Sequence, residues 1–224
     1  MSRGIFITGT DTGVGKTWIA AGIAQAFRTS GIDVGVMKPA ETGCRTRRGE
    51  LIPSDALILS EAAGTNDALG LVNPYRFRLP LAPAVAASQE GKRIDMKRIL
   101  TCYRELQNKH AWMVVEGAGG ILVPLTSRLT YLDLAAALGL PVLVVARPGL
   151  GTINHTLLTI MALRSRKMPI AGIVFNDSSG GARGLAERSS SSVIERIAGV
   201  SILGSTRFGQ KDLSSVARQL LRGI

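Results

Sequence analysis

Cysteine is scarce: Cys44 and Cys102 are the only two in 224 residues. Two thiols cannot build a disulfide framework or a thiol-only metal site. Aromatic residues make up 4% of the chain and are not interleaved with basic ones, as a base-stacking surface would require. No apolar run approaches the roughly 18 residues of a membrane-spanning helix, so no membrane partner is expected. The opening residues, Met1 to Gly9, lack the apolar segment of a signal peptide and read as a strand, which makes the cytoplasm the expected location. Acidic residues are also few. Sixteen against 27 basic ones leave a net charge of +11 at pH 7. Such an excess can draw nucleic acid. Here, though, the basic residues of the Arg164 to Ile224 stretch are scattered over helical segments and loops, the pattern of a solvated surface. No specific nucleic-acid partner is expected.

With 46% hydrophobic and 19% charged residues, disorder is excluded, and the length suits one domain over 1–224. Short β-rich runs alternate with helical patterns. Strands are expected at Gly4 to Gly9, Asp33 to Lys38, Trp112 to Glu116, Pro141 to Ala146, Ile170 to Asn176 and Ser201 to Gly204. Helices are expected at Thr17 to Ser30, Ser54 to Ala63, Asp95 to Lys109, Leu129 to Leu138, Asn154 to Lys167, Leu185 to Ala198 and Lys211 to Arg222. Runs such as Val142 to Ala146 do not alternate with polar residues, which fits strands buried on both faces. The expected fold class is α/β: a doubly wound, mainly parallel sheet with helices on both faces. Gly64 to Gly91 carries Pro74, Pro80 and Pro83 and reads as an irregular insertion.

In open α/β sheets, ligands bind beyond the carboxyl ends of the strands. The first such loop, Gly9-Thr10-Asp11-Thr12-Gly13-Val14-Gly15-Lys16-Thr17, follows a strand and opens a helix, as a phosphate-binding loop must. Its glycines let backbone N–H groups converge on phosphate oxygens, and the helix start adds partial positive charge. Lys16 is placed for the β- and γ-phosphates and the Thr17 hydroxyl for Mg²⁺. Thr10 stands where the usual first glycine falls, with Gly9 one residue earlier. A magnesium ion among phosphates also needs carboxylates. Glu116 ends an apolar strand and enters Gly117-Ala118-Gly119-Gly120, a suitable place. Asp55 serves equally well as a helix-start charge.

Lys38, in Lys38-Pro39-Ala40-Glu41-Thr42-Gly43, can offset charge on a transferring phosphoryl group, though a lysine at a strand end is commonly solvated. Asn154 is a natural N-cap for the helix after Gly149-Leu150-Gly151-Thr152-Ile153, and the first turn there suits a carboxylate. Asn176 and Asp177 suit either an adenine edge or a loop cap. His110 and His155 have no evident partner and read as structural. Cys44, beside Arg45, Arg47 and Arg48, reads as a loop cysteine, with a lowered-pKa thiol as the alternative.

Taken in order, the phosphate loop, Lys38 to Gly43, Asn73-Pro74-Tyr75-Arg76-Phe77, Val115 to Gly120, Gly149 to His155 and Asn176-Asp177 resemble the dethiobiotin synthetases over nearly the whole chain. That family closes a ureido ring from 7,8-diaminononanoate, CO₂ and ATP with Mg²⁺, through a carbamate and a carbamic-phosphoric anhydride. The resemblance implies Lys16 and Lys38 as catalytic lysines, Lys38 also holding the carbamate. It implies Thr17, Asp55 and Glu116 as magnesium ligands. Substrate contacts fall to Thr12, Lys38 and Thr42, and to Gly151, Thr152, Ile153 and Asn154 reaching across a homodimer. ATP contacts fall to Gly13, Val14, Gly15, Lys16, Thr17, Trp18, Asp55, Glu116, Gly117, Ala118, Gly119, Asn176 and Asp177. In Ser205-Thr206-Arg207-Phe208-Gly209, Arg207 replaces the proline that the family often carries near adenine. The rival reading is a partition-type ATPase switch that binds DNA or membrane. Such switches carry an extra lysine early in the loop, where Asp11 stands here.

Overall fold

The computed structural model describes residues 3–178, 180, 185–210 and 212–223, the backbone alone for 185–188. The amino-terminal part runs β1 (Gly4–Gly9), α1 (Lys16–Thr29), β2 (Val34–Met37), β3 (Ala40–Glu41), β4 (Arg45–Arg47), β5 (Glu50–Ile52) and α2 (Ser54–Ala63). The middle holds α3 (Leu69–Val72), β6 (Tyr75–Arg76), α4 (Pro83–Gln89), α5 (Met96–Gln107), β7 (Trp112–Gly120) and α6 (Tyr131–Leu138). Then follow β8 (Val142–Ala146), α7 (Thr152–Ser165), β9 (Ile170–Asn176), α8 (Leu185–Ala198), β10 (Ile202–Thr206) and α9 (Ser214–Gly223).

Six strands pair in parallel in the order β10-β9-β8-β1-β7-β2. All residues of β1, β2 and β8 are buried, as helices on both faces require of an apolar sheet. β1 lies between β7 and β8, so the loops after all three strands meet at its carboxyl end. Among the described residues no helix is long and apolar enough to cross a membrane.

Element boundaries move where side chains compete with propensity. β7 runs to Gly120 instead of stopping at Glu116, because Gly120 pairs with Gly9 after a register shift. Gly117 packs closely there: a Cβ would lie 3.2 Å from the Phe6 ring, which would have to give slightly. β10 reaches Thr206, two residues beyond the expected end, because Ser205 and Thr206 pair with Phe175 and Asn176. Asn154 is not the N-cap of α7: Gly151, with φ +88°, holds that place and the helix starts at Thr152. α6 starts at Tyr131, two residues late, because Asp133 accepts from the Thr130 backbone N–H at 2.8 Å. Asp95 caps α5 by accepting from the Lys97 N–H at 2.9 Å. α9 starts at Ser214, after Asp212 accepts its N–H at 2.9 Å; the expected start, Lys211, lies outside the described residues.

The 64–91 segment is more regular than expected. It contains α3 and α4 and sends β6 to pair with β3, Glu41 opposite Arg76. β4 and β5 form a small hairpin that the sequence reading missed.

Candidate active site

Backbone geometry shapes the phosphate loop first. Gly13 and Gly15 have φ of +77° and +86°, a region closed to most side chains. Gly9 answers for the displaced first glycine: a Cβ there would come within 2.7 Å of the Asp11 carbonyl and 2.9 Å of Lys16 Nζ. From the first turn of α1, Lys16 turns back and its Nζ donates to the Asp11 carbonyl at 3.1 Å. Burial, reinforced by the nearby Lys38 charge, pulls its pKa down to about 8.

Behind this loop lies an ionic cluster. Lys38, at the end of β2, is 3% exposed and extends its Nζ to 2.6 Å from Glu116 Oε1 and 2.8 Å from Asp55 Oδ2. It is therefore not the solvated strand-end lysine that its position alone suggested. Burial by itself would lower its pKa, but Glu116 and Asp55 overcome that and hold it above the ordinary lysine value. The Thr17 hydroxyl donates to the same Glu116 Oε1 at 2.9 Å. Glu116 Oε2 is buried without a hydrogen-bond partner, and burial pushes this carboxyl up while Lys38 opposes the shift.

An orphaned carboxylate oxygen beside a hydroxyl and a second carboxylate is an all-oxygen donor set, which suits Mg²⁺. Among the described residues no three His, Cys, Asp or Glu side chains gather into a metal cage of their own. Magnesium at phosphates needs only one or two carboxylates, so Thr17, Asp55 and Glu116 fit it.

Thr12, Lys16, Thr17, Lys38, Asp55 and Glu116 all line one cavity of about 680 Å³, with Thr42 at the same rim. Gly13, Gly15, Ala118 and Gly119 complete its polar floor. Pro80 to Pro83, from the proline-rich segment, give it an apolar wall that the sequence reading did not assign. Two buried side chains were missed as well. Asn73 donates from Nδ2 to the Lys38 carbonyl at 2.7 Å, and Glu41 accepts from the Asp55 and Ala56 N–H groups at 3.0 and 3.1 Å. Both stand inside motifs quoted from the sequence, Asn73 to Phe77 and Lys38 to Gly43, which mark the residues but not these partners.

Other expected residues lie apart from this cavity. Gly151 to Asn154 form the start of α7, after a nearly fully exposed Leu150. Asn176 sits behind the loop, where its Nδ2 donates to the Val14 carbonyl at 2.9 Å and its Oδ1 accepts from the Thr206 hydroxyl at 2.6 Å. Asp177 Oδ1 accepts from the Gly180 N–H at 3.0 Å, a loop-capping contact. Trp18, partly exposed, donates its indole N–H to the Gln210 carbonyl at 2.7 Å. Cys44 is buried, and burial pushes its thiol up to about 11, which overturns the reactive-thiol alternative. His110 does have partners: Asp33 at 2.9 Å and Asp67 at 2.7 Å.

A family model described as an AAA domain matches residues 3–207. An ATP-dependent dethiobiotin synthetase of Anaeromyxobacter dehalogenans is 57% identical over 174 residues, 78% of this chain and 76% of that protein. One from Thermodesulfovibrio yellowstonii is 42% identical over 211 residues, 91% of this chain and 88% of that one. Among solved structures, a ParA family ATPase from Chlorobium tepidum TLS superposes with a TM-score of 0.55 at 16% identity, covering 100% of this chain and 90% of the other. That likeness concerns the fold alone. With relatives this similar over most of its length, the chain belongs to the ATP-dependent dethiobiotin synthetase family.

Proposed function

We propose that this chain closes the ureido ring of dethiobiotin from 7,8-diaminononanoate, CO₂ and ATP. Family membership supports the activity. The observation that carries the mechanism is the single cavity that joins the phosphate loop, both lysines and both carboxylates.

One amine adds to CO₂ and loses a proton, giving a carbamate. A carbamate oxygen then attacks the γ-phosphorus, and ADP leaves. The second amine attacks the carbonyl carbon of the resulting anhydride, phosphate departs, and a second proton is lost. Both nucleophile and phosphate are anionic, so screening and in-line placement are the main services required. Lys38 holds the carbamate and Lys16 the β- and γ-phosphates, with Thr12 and Thr42 orienting the diamine. The Pro80 to Pro83 wall suits its methylene chain. Thr17, Asp55 and Glu116 would hold Mg²⁺, which supplies positive charge to the phosphates. The two protons released pass to solvent and to the departing phosphate.

Gly13, Val14, Gly15 and Trp18, with Gly117 to Gly119, flank the nucleotide, and Asn176 and Asp177 face its base. The chain acts in the cytoplasm as one P-loop domain over 1–224 and as a homodimer, with Gly151 to Asn154 meeting the partner's substrate carboxylate. The exposed apolar side chains Leu122, Leu150, Leu158 and Met161, on and near α7, support a second copy there. The test supplies diaminononanoate, ATP, Mg²⁺ and labelled bicarbonate. Label is expected in a cyclic urea, one ADP per ring; ATP turnover without labelled ring would overturn the reading.

A further inference from the structure

Helix α2 begins without a cap of its own. Its N-cap residue is Pro53, which has no side chain able to accept from the first free N–H groups. Those groups are nonetheless satisfied from outside. The carboxylate of Glu41, fourteen residues upstream and buried, accepts from Asp55 N at 3.0 Å with one oxygen and from Ala56 N at 3.1 Å with the other. An anion is also favoured here by the helix dipole. Glu41 is itself anchored: β3 pairs with β6, and its carbonyl accepts from Phe77 N at 2.9 Å. The strand exit after Lys38, the proline-rich segment and the start of α2 are thus tied through one residue, by its backbone to the second and its side chain to the third.

The consequence falls on Asp55. Its backbone N–H is held by Glu41, while its side chain faces Lys38 at 2.8 Å in the cavity. We propose that Glu41 is a positioning residue, which clamps the first turn of α2 so that Asp55 stands ready for the divalent cation that accompanies ATP. Glu41 also lines the cavity, but each of its oxygens already accepts a backbone N–H of α2, so the role assigned to it is to hold that turn. The proposal rests on the reading of Asp55 as a magnesium ligand.

Glu41→Gln separates this role from simple helix capping. The amide keeps the shape but presents an NH₂ where one backbone N–H needs an acceptor. Mn²⁺ is titrated into protein with ADP and followed by loss of the free-ion EPR signal, with melting temperature measured in parallel. Asp55→Asn serves as the reference. The expected result is a rise of about tenfold in the Mn²⁺ dissociation constant for Glu41→Gln, the size typical when the support of a metal ligand is lost. The Michaelis constant for the diamine should stay near wild type. A lowered melting temperature with unchanged Mn²⁺ affinity, while Asp55→Asn does weaken it, would overturn the proposal and leave the metal reading intact. Unchanged affinity in Asp55→Asn would instead overturn the metal reading, and the clamp with it. If Glu41→Gln folds poorly, Glu41→Met fills the buried site without a charge and carries the same comparison.

Discussion

An ammonium group as buried as that of Lys38 persists only because two carboxylates lie within 2.8 Å of it. Removing it leaves Glu116 charged and buried with Thr17 as its remaining side-chain partner. Lys38→Met is expected to cost about 3 kcal/mol in stability, chiefly on the Glu116 side, because Asp55 is partly solvated. Turnover should fall by about 10² to 10³, the range for losing one charge-stabilising donor. Mg²⁺ alone should then raise the melting temperature of Lys38→Met more than that of wild type, since the cation replaces the missing charge. Thermal denaturation with and without Mg²⁺ measures this; equal shifts would show that the carboxylates are not unpaired in the variant. At this scale legibility depended on distance along the chain. Lys16 and Thr17 were readable from a local motif and Glu116 from its place at a strand end. Asn73 and Glu41 stand inside quoted motifs, but their partners lie 35 and 14 residues away, so the contacts they make were not readable locally.

Elements were readable where periodicity had room to act. The six parallel strands each carry a run of apolar residues, whereas β3 and β6 have two residues each and β4 and β5 three, too few for a pattern. The glycines past Glu116 read as a loop because strand propensity is low there, yet Gly120 rejoins β1 opposite Gly9, past an irregularity at which Gly119 has φ +65°. The phosphate loop allows a sharper test of how elements fit. Gly13 and Gly15 share a left-handed backbone, so alanine at either should cost about 1–2 kcal/mol in strain. A Cβ on Gly13 meets nothing within 4 Å, but one on Gly15 overlaps Nδ2 of Asn176. Gly15→Ala must therefore also push β9's last residue off the Val14 carbonyl and the Thr206 hydroxyl. Urea denaturation should show Gly15→Ala less stable than Gly13→Ala by roughly another 1–2 kcal/mol, the cost of stranding a buried amide. Equal losses would mean that Asn176 swings aside freely.

Across the whole molecule the ligand edge and the opposite edge of the sheet are held by different chemistry. At the amino ends of the strands, His110 joins three connections at once. Its Nδ1 is 2.9 Å from Asp33, which precedes β2, and its Nε2 is 2.7 Å from Asp67, between α2 and α3. His110 itself precedes β7, and Lys109 and Thr65 also reach Asp67. The sequence hid this latch because Asp33 and Asp67 are 77 and 43 residues from the histidine. Burial would lower the His110 pKa, but hydrogen bonds and charge from both carboxylates raise it above the ordinary value, while Asp67 is held below its own. A raised folded pKa contributes stability that is complete below the unfolded value, about 6.5, and is lost as pH rises through the folded one. The Asp67 contribution is lost only in acid, as pH falls through its lowered pKa. The stability gap between wild type and His110→Gln should therefore be widest near pH 5–6 and shrink steadily in mildly alkaline solution. ADP binding should not change, because the latch and the phosphate loop occupy opposite ends of the strands. Chemical denaturation of both proteins across that range measures the gap. A gap of constant size would show that the imidazole contributes by packing alone, and that its charge holds nothing together.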